Sequence, residues 1–306
     1  MALESTVGFI GFGEAGFHIA KGLGGAGLTG IRAYDINTYT PVLGEKIRQR
    51  SEESGVLLLD SPAVLASECN VLISTVTADR AMEAVEQTAP FLKIHHIYVD
   101  FNSISPALKQ SIGRVVSSRS AKFVEGAIMS PVARHSHRVP ILLGGRNATA
   151  LVEILSPYEM NLDVISDQIG AASATKMCRS IVVKGLEALM LECVLAAVPY
   201  GADERVFGTL DESLPGVDWK RLASYMVGRV VEHGERRAME MKEVADTLRT
   251  LGIEPIMAQA AAERQLQCAR LGLLEGFGGK PPDDYKVVVR AISERVSAAN
   301  KGGANR

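Results

Sequence analysis

The chain has 306 residues, enough for two domains and a substantial core, and 47% of them are hydrophobic against 22% charged, an ordinary balance for a folded enzyme. A formal net charge of −2 with no basic block removes the electrostatic basis for nucleic-acid binding. The most apolar helical stretch, 181–198, is broken by Lys184, Glu187 and Glu192, which excludes a membrane span; no leader precedes the first strand, and the four cysteines lack paired spacing, so the expectation is a cytoplasmic protein with buried reduced thiols.

The first predicted strand, 6–10, runs into Gly11-Phe12-Gly13-Glu14-Ala15-Gly16, and a helical pattern of Phe17, Ile19, Ala20 and Leu23 follows. A second apolar segment, 30–34, ends at Asp35, nineteen residues after Gly16. This is the layout of a dinucleotide site. Gly11 permits the tight turn, Gly13 lets the backbone approach a pyrophosphate, and Gly16 lets the helix lie close on the strand. The helix N-terminus then faces the phosphates, and Asp35 is placed to accept from the adenosine ribose hydroxyls. Glu14 is expected to point to solvent, where the helix dipole favours it. A carboxylate at Asp35 repels a 2′-phosphate, and Ile36-Asn37-Thr38 offers no arginine to offset it, so NAD is the expected cofactor, with NADP the alternative.

Further strands are predicted over 56–59, 71–74, 97–100, 122–128, 139–143 and 162–165, with helices between them such as 80–89 and 106–117. This alternation predicts an α/β fold, a doubly wound (Rossmann) parallel sheet over 1–166. Ligands of such sheets sit beyond the carboxyl ends of the strands. Three segments emerge there: Ser74-Thr75-Val76-Thr77, Asp100-Phe101-Asn102-Ser103-Ile104-Ser105-Pro106 and Glu125-Gly126-Ala127-Ile128-Met129-Ser130-Pro131-Val132. Thr75, Val76, Asn102 and Ser103 are the cofactor candidates among them, and Ser105-Pro106 reads as an N-cap with a first-turn proline. His135 and His137 are only two imidazoles without an acidic partner, too few for a metal site.

Helical periodicity takes over in 171–198, 219–251 and 255–274, which predicts an all-helical domain over 167–306; the tail after Ser297 reads as frayed. The helix at 171 opens with Gly170-Ala171-Ala172-Ser173-Ala174-Thr175-Lys176. A lysine beside so small a turn is open to desolvation, which lowers its pKa and makes the neutral amine available as a base. Lys176, Ser180 and Lys184 fall on one helical face; Lys184 is expected to be a solvated surface lysine. Arg179, Arg236 and Arg237 offer either a second anion site or ion pairs with Glu232, Glu235 or Glu240.

Taken together, these segments resemble the β-hydroxyacid dehydrogenases, the group of 3-hydroxyisobutyrate, tartronate semialdehyde and 6-phosphogluconate dehydrogenases. Phe9-Ile10-Gly11-Phe12-Gly13 is similar to their glycine motif, Val99–Pro106 to their VDxST-I-SP segment, Glu125–Val132 to their substrate loop and Gly170–Lys176 to their G-x-G-x-x-x-K helix. The resemblance implies Lys176 as catalytic acid/base, a small anionic substrate, and a homodimer formed through the helical domain. Under it, Ser130 and Pro131 take the place of the substrate loop, and Ser180 and Arg179 the place of the asparagines after the lysine. The departures are Met129-Ser130-Pro131 for Ser-Gly-Gly, Lys176-Met177-Cys178-Arg179-Ser180 for Lys-x-x-Asn-Asn, and 233–242 for the later Lys-Asp helix. They describe a familiar cofactor half joined to a rebuilt substrate half. Two other functions fit the scaffold: an imine reductase, whose lysine position is typically Asp or Tyr, and a catalytically silent nucleotide-binding protein.

Overall fold

The computed structural model describes residues 6–303, and by internal contacts the chain divides into two compact units, 1–176 and 177–306. The first unit alternates strands and helices: β1 (Val7–Ile10), α1 (Glu14–Gly25), β2 (Arg32–Tyr34), α2 (Leu43–Ser54), β3 (Leu57–Leu58), α3 (Pro62–Glu68), β4 (Val71–Ser74), α4 (Ala81–Thr88), β5 (Ile97–Asp100), α5 (Pro106–Ser117), β6 (Lys122–Ile128), α6 (Val132–His135), β7 (Ile141–Gly144), α7 (Ala148–Leu155) and β8 (Leu162–Ser166). Helix α8 (Ala171–Ala197) leaves the sheet, followed by α9 (Asp203–Ser213), α10 (Trp219–Thr250), α11 (Ile256–Ala269), α12 (Leu273–Gly276) and α13 (Tyr285–Gly303).

One eight-stranded sheet carries the order β3-β2-β1-β4-β5-β6-β7-β8. The first six strands are parallel, β7 runs antiparallel to β6, and β8 is parallel to β7. The expected parallel sheet departs at one edge: residues 129–140 join β6 to β7 and carry only the four-residue α6 and one further turn, not a helix long enough to bring the chain back across the sheet, so β7 returns beside β6 in the opposite direction. Two apolar layers cover the sheet. Phe9, Val71, Ile73 and Val99 meet α1, α2 and α7 through Ile19, Leu23, Ile47 and Leu151. Ile10, Leu72 and Tyr98 meet α3, α4 and α5 through Leu65, Val85, Ile112 and Val116. Strand β1 runs buried along its whole length, as a parallel strand covered on both faces must.

In the second unit, α8, α9, α10, α12 and α13 share a core around Leu191, Val194, Phe207, Val227, Val230 and Val288. A second, alanine-rich cluster joins Met177 and Ala188 on α8 to Ala238, Met241 and Ala245 on α10 and Ala258, Ala261 and Ala262 on α11. Helices α9 and α13 have no counterpart among the expected elements. The tail is also helical as far as Gly303, which corrects the frayed reading from 298 to 303; residues 304–306 lie outside those described. Asp203 explains part of this: its carboxylate, at the start of α9, accepts from Tyr285 Oη and pairs with Lys286 Nζ at 2.9 Å, so α13 is tied down at its first turn.

Lys184 is buried, not solvated as expected. Helix α10 packs over it and supplies Glu240, whose Oε2 lies 2.8 Å from the ammonium, while Ser180 Oγ accepts from it at 2.8 Å. Burial pushes its pKa down and the Glu240 carboxylate pulls it back up. Arg237 pairs with Glu187 at 2.8 Å, a partner outside the three expected, whereas Arg236 pairs with Glu240. Of the four free cysteines Cys69 and Cys268 are buried, Cys193 is half-buried and Cys178 is exposed, so the expectation of buried thiols fails at Cys178. No described helix is long and apolar enough to cross a membrane.

Candidate active site

Strands β1 and β4 lie side by side where the sheet order changes direction, and the loops after them meet. Gly11 turns the chain at φ +85°. A methyl group added there would lie 2.6 Å from Val76 Cγ1 and 2.9 Å from the Thr75 carbonyl. Thr75 closes the contact from its side: Oγ1 donates to Gly11 O at 2.7 Å, and its N–H donates to Ile10 O at 2.8 Å. Gly11→Ala therefore combines a left-handed backbone conformation with a steric clash. It is expected to lower stability by about 2–3 kcal/mol and to weaken NADH binding, as read by chemical denaturation and by fluorescence titration.

Gly13 is the N-cap of α1 and makes no side-chain cap bond, and a Cβ built on it meets nothing within 4 Å. Space is therefore free beside the first turn of α1, a cradle that a side chain at 13 would begin to fill. Glu14 is exposed to solvent and Ala15 half-buried. Asp35 closes the loop after β2: Oδ2 accepts from Phe12 N–H at 2.7 Å and Oδ1 from Asn37 N–H at 2.8 Å. The same loop receives Arg48 from α2, whose Nη1 donates to Thr38 O at 2.6 Å; a reading restricted to Ile36-Asn37-Thr38 misses that guanidinium.

Behind the loops after β4, β5 and β6 lies a polar frame. Lys109, fully buried on α5, donates to Asp100 O and Asp100 Oδ1, both at 2.6 Å, and to Gly126 O at 3.1 Å, so all three ammonium protons have acceptors. Asn102 Nδ2 donates to Ser74 Oγ at 2.9 Å and Asp100 Oδ2 at 3.0 Å, and its Oδ1 accepts from Val76 N–H at 2.7 Å. The Asn102 side chain is spent on joining two loops, while Ser103 beside it is exposed. Neither Lys109 nor the role of Glu125 is among the expected site residues. Their signal is in the sequence all the same: Lys109 interrupts the apolar stripe of Ile112 and Val116, and Glu125 sits inside an apolar strand. A charge at such a position implies a buried partner.

Lys176 is half-buried on the second turn of α8, Arg179 is exposed and Ser180 is buried against Lys184. In the substrate-loop segment Ser130 is half-buried and Pro131 exposed, at the entry to α6. The described residues contain no group of three or more His, Cys, Asp and Glu side chains placed to hold a metal ion.

A family model described as the NAD binding domain of 6-phosphogluconate dehydrogenase matches residues 6–155, and a domain of unknown function, DUF1932, matches 197–267. A conserved hypothetical protein from Sinorhizobium meliloti is 35% identical over 96% of this chain and 97% of its own, with a TM-score of 0.83. The conserved protein MTH1747, of unknown function and described as structurally similar to 3-hydroxyacid dehydrogenases, is 32% identical over 87% of this chain and 98% of its own, with a TM-score of 0.74. The chain belongs to the β-hydroxyacid dehydrogenase family. Membership makes it an oxidoreductase using a nicotinamide cofactor, and the glycine cradle and Asp35 suit that group. The mitochondrial 3-hydroxyisobutyrate dehydrogenase of Drosophila melanogaster is 23% identical over 70% of this chain, which spans 65% of that enzyme's length.

Proposed function

We propose that this family member oxidises a small hydroxy acid with NAD, or reduces the corresponding carbonyl with NADH, and that Lys176 is its general acid/base. In this reading residues 1–166 form the dinucleotide-binding domain and 167–306 a helical substrate domain, through which the cytoplasmic enzyme forms a homodimer. The observation that carries the reading is the placement of Lys176: a half-buried amine on the second turn of a helix whose first turn is anchored in the nucleotide-binding sheet.

Residues 11–15 would hold the pyrophosphate, Asp35 the adenosine ribose, and Thr75, Val76 and Ser103 the segment toward the nicotinamide, with Asn102 holding two of these loops together. When bound, the cofactor supplies the hydride acceptor or donor. The chain's own task is the proton. Neutral Lys176 accepts it from the substrate hydroxyl during oxidation, and the ammonium returns it to the carbonyl oxygen during reduction. Ser130 and the backbone around Pro131 would hold the substrate carboxylate. Arg179 and Ser180 stand on the next turn of α8; of the two, Ser180 is already engaged by Lys184, so the exposed Arg179 is the better anion contact.

Asp35 also argues for NAD. Its carboxylate would face a 2′-phosphate as a like charge, and Arg48 spends one of its N–H groups on the Thr38 carbonyl. The Michaelis constant for NADH is expected to lie at least about tenfold below that for NADPH, since one uncompensated like-charge contact is worth about 1.4 kcal/mol or more. Steady-state kinetics with both cofactors checks this, and a preference for NADPH would refute the assignment.

A further inference from the structure

Glu125 occupies the middle of β6, paired in register with Asp100 on β5 and Gly144 on β7, and its side chain is fully buried. It does not join the lysine of the polar frame. Its carboxylate reaches instead to the start of α8: Oε1 accepts from Gly170 N–H at 2.6 Å and from Ala172 N–H at 3.0 Å, and Oε2 accepts from Ser173 Oγ at 3.0 Å. The surroundings are shaped for this reach. A Cβ at Gly144 would lie 2.5 Å from Glu125 Oε1, so only glycine leaves room for the carboxylate. Gly170 turns the chain into the helix at φ +109°, which brings its N–H onto the same oxygen.

An ordinary N-cap is a residue next to the helix in sequence, bonding to the N–H groups of its own first turn. Here the cap comes from a central strand forty-five residues earlier, so the helix start is referenced to the sheet and not to a flexible connection. Ala172 and Ser173 stand four and three residues before Lys176, and such residues share its helical face. The two main-chain bonds fix the axial position of the first turn, and the Ser173 side-chain bond fixes the face from which Lys176 follows three residues later.

We propose that Glu125 is a positioning residue for Lys176: it sets the rotation and tilt of the first turn of α8, and through that turn the place of the amine. The proposal rests on the reading of Lys176 as the acid/base. It assigns no contact between Glu125 and substrate or cofactor.

The test uses the full-length protein and Glu125→Gln, which keeps the shape and can still accept from Gly170 and Ala172, with Glu125→Ala beside it. Three measurements are made: hydrogen exchange at the amides of Gly170 and Ala172, the pH profile of trace reductive methylation of Lys176 read by mass spectrometry, and NADH affinity. In Glu125→Gln, exchange at the two amides is expected to rise about tenfold. The Lys176 labelling profile is expected to shift while NADH affinity stays within about twofold, and turnover of a hydroxy acid to fall about ten- to a hundredfold at an unchanged cofactor Michaelis constant. Glu125→Ala should be worse on every count; should it fail to fold, Glu125→Gln decides alone. Faster exchange with an unshifted labelling profile and unchanged turnover would reduce Glu125 to a cap and overturn the proposal, as would no change at all. The labelling and exchange measurements need no turnover, so they stand even where Lys176→Ala retains activity and the acid/base reading itself fails.

Discussion

Replacing Lys176 by alanine is expected to lower turnover by about 10²–10⁴-fold, the contribution of a well-placed acid/base and a loss of about 3–5 kcal/mol of transition-state stabilisation. The cofactor should bind as before. The glycine cradle, Asp35 and the Thr75–Gly11 closure are built from the ends of β1, β2 and β4, and the bonds that hold them come from those loops. Fluorescence titration with NADH and steady-state rates on a panel of hydroxy acids and imines separate the two effects. Lys176→Arg should recover little, because a guanidinium stays protonated and cannot serve as a base at neutral pH. Normal turnover in Lys176→Ala would remove the lysine from the mechanism, and NADH binding with no turnover of any panel compound by the parent enzyme would favour a silent nucleotide-binding protein.

The second large effect is on stability. Lys109→Met is expected to destabilise the nucleotide-binding unit by about 3–5 kcal/mol, because it leaves the Asp100 carboxylate buried without its counter-charge. For a unit of this size that corresponds to a fall of about 6–20 °C in the unfolding temperature. Calorimetry or circular dichroism reads it, and a change of less than about 2 °C would mean that water or a rearranged side chain has replaced the ammonium. The double substitution Lys109→Met with Asp100→Asn should recover part of the loss, since the uncompensated charge is what costs most. NADH affinity is expected to fall with the single substitution, as Asp100 also anchors the Asn102 amide that ties the β4 and β5 loops.

Much of the nucleotide-binding half was legible from residue pattern. Strands β4, β5 and β6 and helix α5 begin and end where alternation and the Ser105-Pro106 cap place them, because short buried runs bounded by turn residues leave few other registers. The edge of the sheet was less legible: nothing local in Ile141–Gly144 declares the direction of the strand, which depends on whether the segment before it forms a crossover helix. Helices α9 and α13 went unread for a related reason. Phe207 and Leu210 form a thin apolar stripe that gains its meaning only against Tyr285 and Leu191. At the site, the residues nearest the turns were visible as motifs, whereas Lys109 was not singled out, Glu125 was read only as the start of a loop segment, and Lys184 was read as solvated. Glu125 and Lys184 find their partners far along the chain, and Lys109 reaches back to Asp100 across the turn between β5 and α5; such pairings are decided by packing rather than by residue spacing.

Asp35 carries one last implication. Both of its carboxylate oxygens are already held by main-chain donors, so its rotamer is chosen when the sheet forms, before any sugar approaches. A group immobilised in advance surrenders almost no further rotational freedom on contact with a ligand. With Asp35 proposed as the ribose contact, recognition at that end would resemble a key meeting a finished lock, and the adaptation a new substrate demands would fall to the opposite end of the nucleotide.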